Sequence, residues 1–239
     1  PDIGLFFTAL GVRILQGYGQ TESGPVVCVN VPNKVKMHAV GPILPDTEVK
    51  IAEDGEILVR GELVMQGYWN DASATAATLQ NGWLHTGDIG VIDADGHLQI
   101  TDRKKDIIVN SGGDNVAPQR IEGMLSLTAE IGQAMVYGDK RPHLVALLVP
   151  DADWLKEWTK QHGKVNELCH LKHDPDLHKA LMAVVSRVNA DLSNIEKVRK
   201  FTVADEPFSI DNAQMTPTLK VRRHKLKEVY GKRLEALYT

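Results

Sequence analysis

Apolar and polar positions follow two different periods along this chain, and the change of period divides it. Between residues 40 and 101 the apolar residues come in short runs separated by turn formers. Val49-Lys-Ile51 and Glu56-Ile-Leu-Val59 flank Glu53-Asp54-Gly55, where Asp-Gly is a strong hairpin signal because both residues tolerate positive φ. Residues 89–92 and 97–100 flank Asp93-Ala-Asp-Gly96 in the same way. Between the hairpins, Asp71 or Ser73 is placed to cap a helix running to about Leu79. This section predicts a small β-rich subdomain, barrel-like or sandwich-like. Before it, residues 5–10 read as the end of a helix closed by Gly11, and Val12-Arg-Ile-Leu15 as a strand.

After Asp102 helical and strand patterns alternate. Pro118 suits the first position of a helix over 118–126. Two apolar strands follow, over 131–137 and 143–149, and then a polar helix over 152–162. Leu177, Leu181, Val184, Val185, Val188 and Leu192 fall on one helical face. A strand over 198–203 and a final helix marked by Leu226, Val229, Tyr230, Leu234 and Leu237 complete an α/β unit. Its junction with the β-rich section is expected at residues 102–105.

Composition narrows the class without naming a function. With 43% hydrophobic and 24% charged residues, the chain is neither collagenous, low-complexity nor wholly disordered. The longest apolar run, Leu144-Val-Ala-Leu-Leu-Val149, falls far short of the roughly 18 residues that a membrane span needs. A net charge of −4, with no aromatic residues interleaved among Lys220, Arg222, Arg223, Lys225 and Lys227, argues against nucleic acid as a partner. Cys28 and Cys169 cannot build a disulfide framework, which favours a reducing compartment. The first residues carry no basic n-region, so no signal peptide is expected, and they read as the continuation of a longer chain.

Four segments can carry chemistry. In Tyr18-Gly-Gln-Thr-Glu22, small residues let a ligand approach the backbone, Thr21 offers a hydroxyl to phosphate and Glu22 a carboxylate to Mg²⁺. Taken alone, this is also a plain strand-to-turn connection. In His85-Thr-Gly-Asp88, Asp88 either caps a turn or grips vicinal hydroxyls, and Arg103 either adds a donor fork there or is a solvated charge. Ser111-Gly-Gly-Asp-Asn115 is either an anion nest before a helix or a tight loop past which a narrow ligand threads. Met215-Thr-Pro-Thr-Leu-Lys220 places a lysine where it can reach a phosphate. Two further patterns are decoys. Asp93-Ala-Asp-Gly96 lacks the Gly and Glu that a calcium loop requires at later positions. Cys169, His170, His173 and His178 have no recognised zinc spacing.

In this order and spacing the segments resemble the C-terminal part of the adenylate-forming enzymes, which include acyl-CoA synthetases, firefly-type luciferases and peptide-synthetase adenylation domains. The resemblance runs through residues 18–22, Gly61-Glu-Leu-Val-Met-Gln-Gly-Tyr-Trp-Asn70, Gly82-Trp-Leu-His-Thr-Gly-Asp88, Asp102-Arg-Lys-Lys-Asp106 with Ser111-Gly-Gly113, and Pro217-Thr-Leu-Lys220. The segments at 102–106, Val116-Ala-Pro-Gln119 and 216–220 are most like long-chain fatty acyl-CoA synthetases, as is the helical insertion at about 152–195.

The resemblance implies the C-terminal part of the acetyl-CoA synthetase-like fold. Residues 1–30 would be a remnant of the N-terminal nucleotide-binding core, 31–102 the β-rich subdomain, and 103–239 a mobile C-terminal α/β domain. It implies ATP, Mg²⁺ and CoA as cofactors and a fatty acid as substrate. Tyr18 would stack on adenine, Thr21 contact phosphate, Glu22 hold Mg²⁺, and Asp88 bind the ribose with Arg103 beside it. Lys105 would be the hinge, Gly112 would line the pantetheine passage, and Lys220 would bridge the acyl carboxylate and α-phosphate. Asp102 and Lys105 stand where many relatives have Gly and Asp, and Leu219 where short-chain relatives have Gly. The pyrophosphate loop and most of the acyl pocket have no counterpart here, so the missing N-terminal domain is the expected packing partner and the isolated chain is expected to be inactive. Two rivals stay open: a non-catalytic module that binds nucleotide or a partner, and a family member using another acceptor. The expected location is cytoplasmic, with peripheral membrane attachment as the alternative.

Overall fold

Hairpin turns organise the first part of the molecule. In the computed structural model, which describes residues 2–239, the chain divides into two compact units, up to Asp106 and from Ile107 onward. The first opens with α1 (Asp2–Ala9), closed at Gly11, whose N–H bonds the Thr8 carbonyl at 3.0 Å with φ at 82°. The strand expected over residues 12–15 does not form. β1 (Gly17–Tyr18) starts later and pairs with β2 (Cys28–Val29). Among the described residues no strand pairs with residues 12–15, and Val12 and Leu15 stay exposed. An apolar run with no ladder partner gains nothing from extending.

β3 (Thr47–Ile51) and β4 (Glu56–Gly61) pair across the Asp-Gly turn, with Gly55 at φ 84°. Asp71 caps α2 (Ala72–Thr78), its Oδ1 accepting the Ala74 N–H at 2.8 Å. β5 (Leu79–Gln80), β6 (Trp83–Ile92) and β7 (Leu98–Arg103) complete an antiparallel sheet in the order β3-β4-β6-β5, with β7 beside the second half of β6. β6 is the hub. Along its partner, Glu56 pairs with Ile89 and Leu58 with His85, so three residues of β6, Thr86, Gly87 and Asp88, stand opposite Ile57 alone, in a bulge that curls the sheet. Val27, Cys28, Ile57, Val59, Leu84 and Leu98 form the core beneath.

The second unit begins with a short hairpin, β8 (Ile108–Val109) and β9 (Asn115–Val116), leading to α3 (Pro118–Ser126) with Pro118 in its first turn. β10 (Ile131–Tyr137) and β11 (Leu144–Pro150) pair antiparallel. Then α4 (Ala152–His162), α5 (Leu168–Leu171) and α6 (Pro175–Asn189) lead across to β12 (Val198–Val203), which runs parallel to β11. α7 (Arg223–Glu235) closes the unit. β11 is the middle strand and is buried along its whole length, which explains its unbroken apolar sequence. Leu144, Ala146 and Leu148 face the cluster built by α3, α4 and α6, while Val145, Leu147 and Val149 face α7. Full burial of one such leucine stabilises the fold by roughly 2 kcal/mol. On α7, Leu226, Tyr230 and Leu234 make the contact, whereas Val229, expected on that face, is exposed. Among the described residues no helix is long and apolar enough to cross a membrane.

Candidate functional site

The bulge in β6 aims Asp88 into an open cleft of about 610 Å³ within the first unit, lined by residues 19–22, 86–88 and 103–105. Thr21, Glu22, Asp88, Arg103 and Lys105, singled out in separate segments, thus meet on one surface. Asp88 is buried, and its Oδ2 accepts from the Tyr18 hydroxyl and from Gln20 Nε2, each at 2.7 Å. Gln20 Nε2 also reaches the Thr86 carbonyl at 2.9 Å. Arg103 stands opposite Asp88 in the β6–β7 ladder, its Nε 3.4 Å from Asp88 Oδ1. Burial and the hydrogen bond to Asp88 push the Tyr18 phenol well above its ordinary range, so it stays a donor.

Thr21, Glu22 and Ser23 form a short 3₁₀ turn in which Gln20 and Ser23 exchange capping bonds. The turn is pinned by the Met65 N–H on the Glu22 carbonyl at 2.8 Å and by the Tyr68 hydroxyl on Glu22 Oε1 at 2.9 Å. A carboxylate held at one oxygen beside an exposed threonine hydroxyl suits Mg²⁺, which takes one or two protein oxygens and draws the rest from water and phosphate. The glycine at position 19 has a reason other than ligand approach. A Cβ there would stand 1.8 Å from the Pro25 carbonyl oxygen, so the chain's own packing requires it.

Beneath the bulge lies a group that sequence reasoning missed. Glu56, 3% exposed, accepts the Gly87 N–H at 2.9 Å on Oε1, and lies 3.0 Å from both His85 Nδ1 and Lys104 Nζ through Oε2. Lys104 Nζ also pairs with Asp54 at 2.6 Å. Burial alone would raise the Glu56 pKa, but Lys104, His85 and the Gly87 N–H together hold it below the ordinary value.

Gly112 and Lys220 lie on loops of the second unit. The anion-nest reading of residues 111–115 does not hold, because the N–H groups are spent internally. Ser111 donates to the Arg141 carbonyl at 3.0 Å, Gly112 and Asp114 to Asn110 Oδ1 at 2.8 and 2.9 Å, and Gly113 to the Asn110 carbonyl at 3.1 Å. What remains is the tight loop. The lysine loop is closed by Thr216, whose N–H bonds the Lys220 carbonyl at 2.8 Å and whose Oγ1 accepts the Lys220 N–H at 3.0 Å. Leu219 takes φ 58°, a left-handed conformation that glycine adopts without strain. Just beyond, Arg223 pairs with Glu122 of α3 at 2.5 Å, and Glu122 also accepts the Val136 N–H at 2.6 Å, which ties the start of α7 to α3 and β10.

The decoys resolve locally. Asp93 and Asp95 bind Lys36 at 2.6 and 2.5 Å around the hairpin. Cys169 and His170 come together with Glu167, all exposed, while His178 stacks on Phe201.

Residues 1–69 match the AMP-binding enzyme family, and residues 105–239 match the AMP-binding enzyme C-terminal domain. The long-chain-fatty-acid–CoA ligase FadD15 of Mycobacterium bovis is 39% identical over 99% of this chain and 40% of its own length. The human long-chain-fatty-acid–CoA ligase 1 is 34% identical over 97% of this chain and 35% of its own. The chain therefore spans about two fifths or less of the length of these relatives. Among solved structures, the adenylation domain of a carboxylate reductase from Mycobacterium chelonae superposes with a TM-score of 0.81 at 26% identity, covering all of this chain and 37% of that one. The o-succinylbenzoate CoA synthetase of Bacillus subtilis, in complex with ATP and magnesium, gives a TM-score of 0.68 at 29% identity over 92% of this chain and 42% of its own. The fold is the acetyl-CoA synthetase-like one expected from the sequence, with its curled β-rich sheet and small α/β unit.

Proposed function

The chain belongs to the AMP-binding enzyme family, and from that premise we propose that it forms the C-terminal part of an ATP-dependent acyl-CoA synthetase acting on long-chain fatty acids. The observation that supports this reading is the convergence of Thr21, Glu22, Asp88 and Arg103 on one cleft. Asp88, held by Tyr18 and Gln20, grips the ribose hydroxyls, with Arg103 beside it. Tyr18 offers its ring to adenine, and Thr21 its hydroxyl to phosphate. Glu22 would hold Mg²⁺, which when bound offsets phosphate charge.

The fatty acid carboxylate attacks the α-phosphate of ATP. The bond to the β-phosphate breaks, leaving acyl-adenylate and pyrophosphate. Lys220 stabilises the charge that gathers during this step. CoA thiolate then attacks the acyl carbon, the C–S bond forms and AMP departs, with the Gly112 loop lining the path of the thiol. Lys105 is the hinge that exchanges the two loops between steps. On its own, the 239-residue chain is expected to catalyse neither half-reaction.

Half-reaction assays on the full-length enzyme test the assignment. Lys220→Ala should abolish ATP–pyrophosphate exchange and spare CoA transfer from preformed acyl-AMP. Equal loss of both would overturn the role of Lys220.

A further inference from the structure

We propose that Glu56 is a positioning residue for the nucleotide site, holding the β6 bulge in the shape that presents Asp88 to the ribose. This deepens the function proposed above and rests on it. A bulge leaves ladder groups without strand partners, and here side chains replace them. Glu56 Oε1 takes the Gly87 N–H at 2.9 Å. Thr86 Oγ1 donates to the Ile57 carbonyl at 2.7 Å and accepts the Asp88 N–H at 3.1 Å. The Gly87 carbonyl accepts the Lys104 N–H at 2.8 Å, and Lys104 Nζ returns to Glu56 Oε2 at 3.0 Å. Both polar groups of Gly87 are therefore held in a closed ring, one residue before Asp88.

Gly87 needs that ring. It sits at φ 70° with nothing within 4 Å of where a Cβ would be, so no side-chain packing fixes it. The residues after Glu56, Ile57, Leu58 and Val59, are all buried and apolar, but an apolar side chain at position 56 would strip the Gly87 N–H of its side-chain acceptor, so a hydrogen-bonding group is needed there. The charge is useful where it sits, because one carboxylate satisfies the Gly87 N–H and ties it to the segment that carries Arg103.

The test measures kcat and the KM for ATP and for fatty acid in the full-length enzyme, for Glu56→Gln, Lys104→Met, Asp88→Asn and the Glu56→Gln/Asp88→Asn double variant. Glu56→Gln should raise the ATP KM about tenfold and leave kcat and the fatty acid KM within about twofold. In the double variant it should add nothing to the effect of Asp88→Asn. Lys104→Met opens the same ring from its half-exposed side and should shift the ATP KM in the same direction even if Glu56→Gln fails to fold; because Lys104 also lines the cleft, the shift counts for the ring only if it adds nothing to that of Asp88→Asn in a Lys104→Met/Asp88→Asn double variant. An unchanged ATP KM in a folded Glu56→Gln or in Lys104→Met, with Asp88→Asn still raising it, would overturn the positioning role alone. An unchanged ATP KM in Asp88→Asn would remove the nucleotide reading, and this inference with it.

Discussion

Gly19 leaves no room for a side chain, since a Cβ would stand 1.8 Å from the Pro25 carbonyl oxygen and 2.8 Å from Val26 Cα. Gly19→Ala must push two backbone segments apart at the edge of the cleft. It should destabilise the first unit by about 1–3 kcal/mol, seen as an earlier thermal unfolding transition; an unshifted transition would show that the turn yields freely. Legibility at this scale depends on distance along the chain. Thr21, Glu22, Asp88 and Arg103 stand in short segments that singly also read as a plain turn, a cap or a solvated charge, and only their order and spacing along the chain point to their chemistry. Gln20, Glu56, Thr86 and Lys104 carry no such signal of their own. Gln20 matters through Asp88, 68 positions away, and Lys104 through Glu56, 48 away. No local period encodes such pairings.

Among elements, those with their own start and stop signals were readable. The Asp-Gly and Asp-Ala-Asp-Gly turns marked both hairpins, Asp71 marked α2, and the apolar face of α6 marked its core contact. Residues 12–15 misled because strand character is completed by a neighbour, and among the described residues no strand pairs with them. The β6 bulge was equally hidden, being a mismatch of register between strands. His143, at the entry to β11, supplies a pH test. Its Nε2 is buried without a partner among the described residues, and its ring lies 4.9 Å from that of Tyr238. Burial, followed by Lys200 and Arg199, holds its pKa below the ordinary 6.5. The unfolded chain therefore binds this proton more readily than the folded one. Stability is full above pH 6.5 or so and is lost as pH falls from there through the folded pKa. His143→Gln should flatten the dependence of urea-unfolding stability on pH as pH falls below about 6.5; an unaltered slope would show that other groups govern it.

Across the whole molecule, the division after Asp106 falls next to Lys105, the proposed hinge. Proline fixes φ near −65°, so Lys105→Pro in the full-length enzyme should preserve one half-reaction and abolish the other. Undiminished turnover of both would remove the hinge role. The order of strands has a consequence for synthesis. In the first unit, hairpin partners follow one another closely, and the sheet can close once residue 103 has left the ribosome. In the second, β11 pairs at once with β10, but Leu144 must wait roughly fifty residues for Val198. Through that interval the most apolar stretch of the chain emerges with one edge unpaired and its helical cover incomplete, a species prone to aggregate. Nascent-chain chaperones are expected to be needed there, between the translation of β11 and of β12.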